Sequence, residues 1–136
     1  MKLMRQNPIM KKITFLLITL FALSSCEKET FVDYFIENQS TSTITVNGSD
    51  IIHSTRIDHS ISEGEKKEVS SWTKRGKEID YFEPVSMFGE DLIITNSNGD
   101  TLTKNYKLHS NWTSNVNDSR TTAEHEYILV VTDSDF

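Results

Sequence analysis

The stretch DLIITNSNGDTLT, residues 91–103, decides the fold class of this chain. Two runs of β-prone residues, 91–95 and 101–103, flank Asn98-Gly99, a pair that accepts the positive φ angles of a tight hairpin turn. The loop also offers several oxygen ligands for calcium, but the glutamate that completes an EF-hand loop is absent. The stretch therefore predicts two antiparallel strands joined by a turn.

Upstream of this hairpin the apolar residues recur with period two, which is typical of half-buried strands. Between Phe31 and Glu37 the alternation places one apolar set, Val32, Tyr34 and Ile36, on a single face. The remaining predicted features are a turn at 38–40, a strand at 43–46 closed by Asn47-Gly48, apolar pieces at 51–52 and 57–61, a turn at Glu63-Gly64-Glu65, and a strand at 66–72 with Val69 or Trp72 buried.

The last strand is continuous and not alternating. Residues 126–132, EYILVVT, predict burial on both faces, a central place in the sheet and pairing with an early strand. Asn111 to Thr122 is polar after Trp112, which predicts an exposed loop. About seven strands over roughly 105 residues indicate one all-β domain, an antiparallel β-sandwich, with a small β-barrel as the alternative.

The chain is strongly acidic once its first 26 residues are set apart. Those residues contain four of the 14 lysines and arginines and none of the 20 acidic residues, which leaves ten basic against twenty acidic residues, a formal charge of −10. Because nucleic-acid binders present clustered Lys and Arg, this charge argues against a DNA or RNA partner. Cys26 is the only cysteine, so no intrachain disulfide can form.

The N-terminal segment has the three-part form of a secretory signal. Lys11-Lys12 precedes an apolar run from Ile13 to Leu23 that ends in small residues. As a helix this run would be about 17 Å long, too short for a hydrocarbon core of about 30 Å. We therefore expect residues 1–25 to be a signal peptide that is removed. Met10 is a more usual start for such a signal than Met1.

Leu23-Ser24-Ser25-Cys26 resembles the lipobox of bacterial lipoproteins, an aliphatic residue and two small ones before the cysteine that receives a diacylglycerol. The resemblance implies a membrane anchor through lipid on Cys26, with 26–30 as the lipidated cysteine and tether and 31–136 as the domain. Each buried CH₂ of an acyl chain contributes roughly 0.8 kcal/mol, so such anchoring would be stable. The alternatives are an ordinary signal with an incidental cysteine and a buried apolar helix.

The order of features along the chain is similar to that of small lipobox lipoproteins of Bacteroidota. The shared features are the lipobox, a short polar tether, Tyr34-x-Ile36-x-Asn38, the Gly64-Glu65 turn, the Gly99-Asp100 hairpin and a terminal Tyr127-x-Leu129 strand. The resemblance implies an immunoglobulin-like sandwich at the outer membrane, on its surface or its periplasmic face, and implies no activity. Asp100-Thr101-Leu102 also resembles the short O-glycosylation site of exported proteins in that group, which implies modification of Thr101.

The domain sequence predicts no catalytic set, no metal site and no cofactor. Its histidines, His53, His59, His109 and His125, lack a metal-ligand spacing, although a site assembled in the fold with neighbouring acids stays open. The acidic pairs Glu90-Asp91 and Asp133 with Asp135 are interpreted as solvated strand ends. Core packing is the expected role of most aromatic rings, and exposed rings that stack on sugars are the alternative. The candidate ligand-binding residues are Trp72, Tyr106 and Trp112.

These features together predict a membrane-anchored, non-enzymatic binding module of the cell envelope with a glycan or protein partner. A metal-dependent hydrolase built from the histidines and neighbouring carboxylates is the first alternative. A structural or inhibitor-like domain that presents residues 111–122 as a loop is the second.

Overall fold

A computed structural model describes residues 28–76, 87–88 and 92–136 of the chain. The strands in those residues are β1 (Glu29–Asn38), β2 (Ile44–Asp50), β3 (Thr55–Ile61), β4 (Lys66–Arg75), β5 (Ile93–Thr95), β6 (Trp112–Asp118) and β7 (Thr122–Val131). They form one sheet in the order β4-β1-β7-β6 and a second in the order β3-β2-β5, packed face to face. The predicted all-β sandwich is confirmed, because these strands form two separate sheets and no closed barrel.

Strand β1 carries the predicted apolar face. Val32, Tyr34 and Ile36 are fully buried, as the alternation predicted. The strand begins at Glu29, two residues earlier than expected, because Glu29 pairs with Arg75 on one side and Thr122 on the other. Part of the segment that we interpreted as tether therefore belongs to the sheet.

Strand β7 lies between β1 and β6, which confirms its predicted central position and its pairing with an early strand. The expectation of purely antiparallel pairing is wrong, since β1 and β7 run parallel from Glu29 beside Thr122 to Asn38 beside Val131. The turn of the β6–β7 hairpin lies at the same end of the sheet as the start of β1, where the Glu29 amide donates to the Thr121 carbonyl.

The predicted loop at 111–122 is wrong. Residues 112–118 form β6, and the Ser119 amide donates to the Thr122 carbonyl at 2.8 Å to turn the chain into β7. Strand β6 lies at the edge of its sheet, and every residue after Trp112 is exposed. Both faces of the strand contact water there, so its sequence needs no apolar alternation.

The predicted end of the second strand at Asn47-Gly48 is also wrong. Both residues stay extended because they pair with Asp58 and Ile57 of β3, and β2 continues to Asp50. The turn that follows includes Ile51 and Ile52, which are exposed and not packed as apolar strand pieces. The apolar piece at 57–61 lies within β3, and the predicted strand at 66–72 is confirmed within β4, where Val69 is buried.

The turn of the predicted hairpin at 91–103 is confirmed. The two strands that it joins are shorter than predicted. The Asn96 side-chain oxygen accepts the amides of Asn98 and Asp100, and Gly99 has a φ of 88°. The first arm is β5, and the second arm makes only one isolated bridge, Thr95 to Thr101. Two features named from the sequence lie outside the described residues: the segment 1–27 with Cys26, and the pair Glu90-Asp91.

Two short 3-10 helices complete the described fold, His109–Asn111 before β6 and Asp133–Asp135 after β7. Within the described ranges, no helix is long and apolar enough to cross a membrane.

Candidate functional site

Two of the three predicted ligand-binding rings lie in the core. Trp112 is 6% exposed and Tyr106 is 9% exposed, and the Trp112 indole donates to the Tyr106 carbonyl at 2.6 Å. The Trp112 ring also meets the edge of Tyr34 at 5.6 Å. Trp72 is half-buried and packs against the same core. These rings stabilise the sandwich and do not form an exposed platform for sugars.

The four histidines lie in four different elements of the fold. His53 lies in the β2–β3 turn and His59 on β3, whereas His109 and His125 both contact the ring of Tyr127. Among the described residues, no group of three or more His, Cys, Asp or Glu side chains could hold a metal ion. The fold therefore does not bring the histidines together into one site.

The first polar cluster that sequence reasoning missed is centred on Asp50, at the end of β2. One Asp50 oxygen lies 2.7 Å from the His53 Nδ1 and accepts the Ser70 hydroxyl at 2.6 Å, and the other accepts the His53 amide at 3.0 Å. Asp50 is buried, while the His53 ring is half-exposed. Since Ser70 belongs to β4, the cluster joins the two sheets of the sandwich.

The chemistry of this cluster follows from its hydrogen bonds. Burial raises the pKa of Asp50, but the hydrogen bonds from Ser70 and His53 outweigh burial and leave that pKa below its usual value. A carboxylate that binds Nδ1 fixes the orientation of the imidazole. The Ser70 hydroxyl donates to Asp50 and not to His53, so the cluster lacks the serine-to-histidine bond of a nucleophile pair.

The second missed feature is a group of four carboxylates on the outer face of the four-stranded sheet, called the acidic stripe below: Asp33, Glu68, Glu124 and Glu126. Asp33 stands directly beside Glu126 in the β1–β7 register. The Lys66 ammonium lies 3.2 Å from Glu126 and forms an ion pair with it. The stripe is therefore negative overall.

Two asparagines of β6 hold carboxylates of the stripe toward the sheet edge. Asn115 donates to Glu126 at 3.4 Å, and Asn117 donates to Glu124 at 3.2 Å. The spacing of Glu124 and Glu126 by two residues was the signal for a shared face, but the sequence did not reveal which strand would lie beside β7.

The crowding of these charges acts on Asp33. Burial, followed by repulsion from Glu68, Glu126 and Glu124, raises the pKa of Asp33. A carboxyl with a raised folded-state pKa disfavours folding at neutral pH, and this penalty disappears as pH falls below the pKa of the unfolded chain.

We expect Asp33→Asn to raise the free energy of unfolding at pH 7 by about 0.5 kcal/mol, since solvent screens much of the repulsion. The gain should shrink when the melts are repeated at pH 3. Glu63→Gln, in the exposed β3–β4 turn, is the matched control for loss of one negative charge. A destabilised Asp33→Asn protein at pH 7 would contradict the repulsion.

A shallow cleft of about 720 Å³ lies at the end of β2. Its lining includes Asn47, Arg56 and two exposed isoleucines, Ile51 and Ile93. The isoleucines give this end of the sandwich an apolar surface among the described residues.

Three comparisons with known proteins add no family. No protein-family model matches the chain, and neither the curated proteins nor the solved structures contain a significant match.

Proposed function

We propose that the chain is a lipid-anchored lipoprotein of the cell envelope whose β-sandwich is a non-enzymatic binding module. The observation that carries the proposal is the sequence Leu23-Ser24-Ser25-Cys26, which directly follows an apolar run of signal length. A cysteine in this position is suited to lipidation, and the chain contains no other cysteine with which it could pair.

The start of β1 supports an anchor close to the domain. Only Glu27 and Lys28 separate Cys26 from the first residue of β1, a reach of about 10 Å when extended. Lys28 forms an ion pair with Asp118, so the chain enters the fold beside the β6–β7 turn. With lipid on Cys26, this end of the sandwich, which includes the C-terminal end of β6, would face the bilayer.

The edge strand β6 supports the binding part of the proposal. Its seven residues pair with β7 on one side, and no described strand lies on the other. An edge of this kind presents backbone N–H and C=O groups that an added strand can pair with. The domain therefore offers a partner a surface that does not depend on an enzymatic site.

The anchor is tested by fatty-acid labelling in a lipoprotein-producing bacterium. We expect Cys26→Ser to abolish incorporation of an alkyne-labelled fatty acid and to move the protein from the membrane to the soluble fraction. Ser24→Ala, which keeps a small residue inside the lipobox, should label like the unchanged chain. Equal labelling of Cys26→Ser and the unchanged chain would contradict the anchor at this residue.

Protease treatment of intact cells tests on which side of the outer membrane the domain lies, with a periplasmic protein as a control for lysis. Digestion on unbroken cells would place the domain on the surface and direct the search for partners to glycans, host factors and surface complexes. Protection would place it in the periplasm and direct the search to envelope proteins.

The Asp50–His53 pair favours a hydrolase as the second candidate function. A histidine oriented by a buried carboxylate is one half of the arrangement that activates a hydroxyl or a water. Ester hydrolysis that is lost in His53→Ala and kept in His59→Ala, a histidine of the neighbouring strand, would support this candidate. Equal rates in both variants would remove it.

A further inference from the structure

The two edges of the four-stranded sheet differ in their protection against an added strand. Strand β4 carries Lys66, Lys67, Lys74 and Arg75, and its register with β1 shifts between Tyr34 and Phe35. Charged side chains, lysine above all, and bulges are the usual means by which proteins prevent pairing at an exposed edge. The β4 edge is therefore protected.

Strand β6 has few of these protections, since its one charged residue is Asp118 at its end. Its sequence, WTSNVND, contains no lysine, arginine or proline, and its register with β7 is regular from Trp112 to Asp118. Thr113 to Asn117 are exposed, including Val116 with 48% of its surface accessible. A regular edge of five such residues is long enough to pair with an extended segment.

The acidic stripe gives this edge a charge preference. Asn117 of β6 donates to the Glu124 carboxylate, and Asn115 donates to an oxygen of Glu126 that also binds the Lys66 ammonium. Side chains of an added strand alternate between the two faces, so every second one would lie on the face of the stripe. Long cationic side chains at those positions would reach across the asparagines to the carboxylates.

We propose that β6 accepts an extended segment of a partner protein as a further strand of the sheet, and that this segment carries lysine or arginine at every second position. The inference rests on the proposed function as a binding module and names its partner class. A second copy of the chain is a poor occupant, because pairing through β6 would bring two acidic stripes together, and each domain carries a formal charge near −10.

The test uses the full-length chain in a neutral detergent and three end-blocked ten-residue peptides. One peptide alternates lysine with threonine, the second alternates glutamate with threonine, and the third alternates lysine with proline. The proline peptide keeps the charge of the first but pairs poorly as a strand, because every second residue lacks an N–H donor and has its φ fixed near −65°, far from the value of about −140° in an antiparallel strand. We expect the lysine-threonine peptide to bind about tenfold more tightly than either of the others.

Amide exchange and charge variants locate the site. The lysine-threonine peptide should slow exchange in residues 113–117, and the double variant Glu124→Gln with Glu126→Gln should weaken binding about fivefold. Glu63→Gln removes a charge from the opposite edge region and should leave the affinity unchanged. A melting temperature close to that of the unchanged chain shows that the double variant is folded.

Three results would overturn the inference. Equal binding of the lysine-proline peptide would show attraction by charge without strand addition. No detectable binding of the lysine-threonine peptide at millimolar concentration would remove the site. A dimer that Val116→Lys dissociates would show that a second copy occupies the edge. Fatty-acid labelling tests lipidation of Cys26 independently of strand addition. Each of these results can therefore occur in a protein that is lipidated at Cys26.

Discussion

Tyr34→Ala is expected to lower the free energy of unfolding by about 4 kcal/mol, because it empties the centre of the core. Tyr34 is fully buried on β1. Its ring stacks on Tyr127 at 5.4 Å and meets Phe88 at 5.4 Å and Trp112 at 5.6 Å in edge contacts. Urea unfolding followed by tryptophan fluorescence would measure the loss.

Phe35→Ala is the matched control for this substitution. Phe35 is the next residue of β1, lies on the outer face of the sheet, and has the Lys66 ammonium 4.6 Å above its ring. Since its ring is only partly buried, its loss should cost about 1.5 kcal/mol. Equal losses in the two variants would contradict the assignment of the inner and outer faces of β1.

Asp50→Ala has the second largest expected effect, a loss of about 3 kcal/mol. The carboxylate is buried and accepts the Ser70 hydroxyl and the His53 amide, so its removal leaves polar groups of both sheets without their acceptor. Thermal or urea unfolding at pH 7 measures the loss. Asp58→Ala, an exposed carboxylate on β3 paired with Arg56 at 3.6 Å, should change stability by less than about 0.5 kcal/mol.

The contribution of Asp50 should depend on pH in a defined direction. Hydrogen bonds from Ser70 and His53 hold its folded-state pKa below the ordinary 3.8 in spite of burial. Its stabilisation is therefore complete above the pKa of the unfolded chain and is lost as pH falls through the lower, folded-state pKa. The difference in stability between the unchanged chain and Asp50→Asn should be constant from neutral pH to about pH 5 and should shrink under stronger acid. A difference that grows on acidification would contradict the lowered pKa.

The fold was predictable where burial imposes a pattern. Val32, Tyr34 and Ile36 alternate because one face of β1 is buried, and the continuous apolar run of β7 reflects its place between two strands. Strand β6 was missed because an edge strand exposed on both faces has no such pattern. The end of β2 was misplaced because Asn47-Gly48 favours a turn locally, while pairing with β3 keeps both residues extended.

The polar sites were less predictable, since they depend on which strands become neighbours. Asp50 and Ser70 are twenty residues apart and meet only when the two sheets pack. The acidic stripe combines β1, β4 and β7, and its orientation toward the edge depends on two asparagines in the segment interpreted as a loop. The sequence also did not predict which aromatic rings are exposed. Tyr106 and Trp112 could be placed in the core only once the course of the chain around Tyr34 was known.

The most direct test of the proposed anchor is mass spectrometry of the chain extracted from the membranes of its producing cell and digested with trypsin. Cleavage after Lys28 would release Cys26-Glu27-Lys28, and we expect this tripeptide to carry a diacylglycerol on the cysteine sulfur and no residue before Cys26. A peptide that retains residues ahead of Cys26, or an unmodified Cys26 in protein recovered from the membrane, would contradict it.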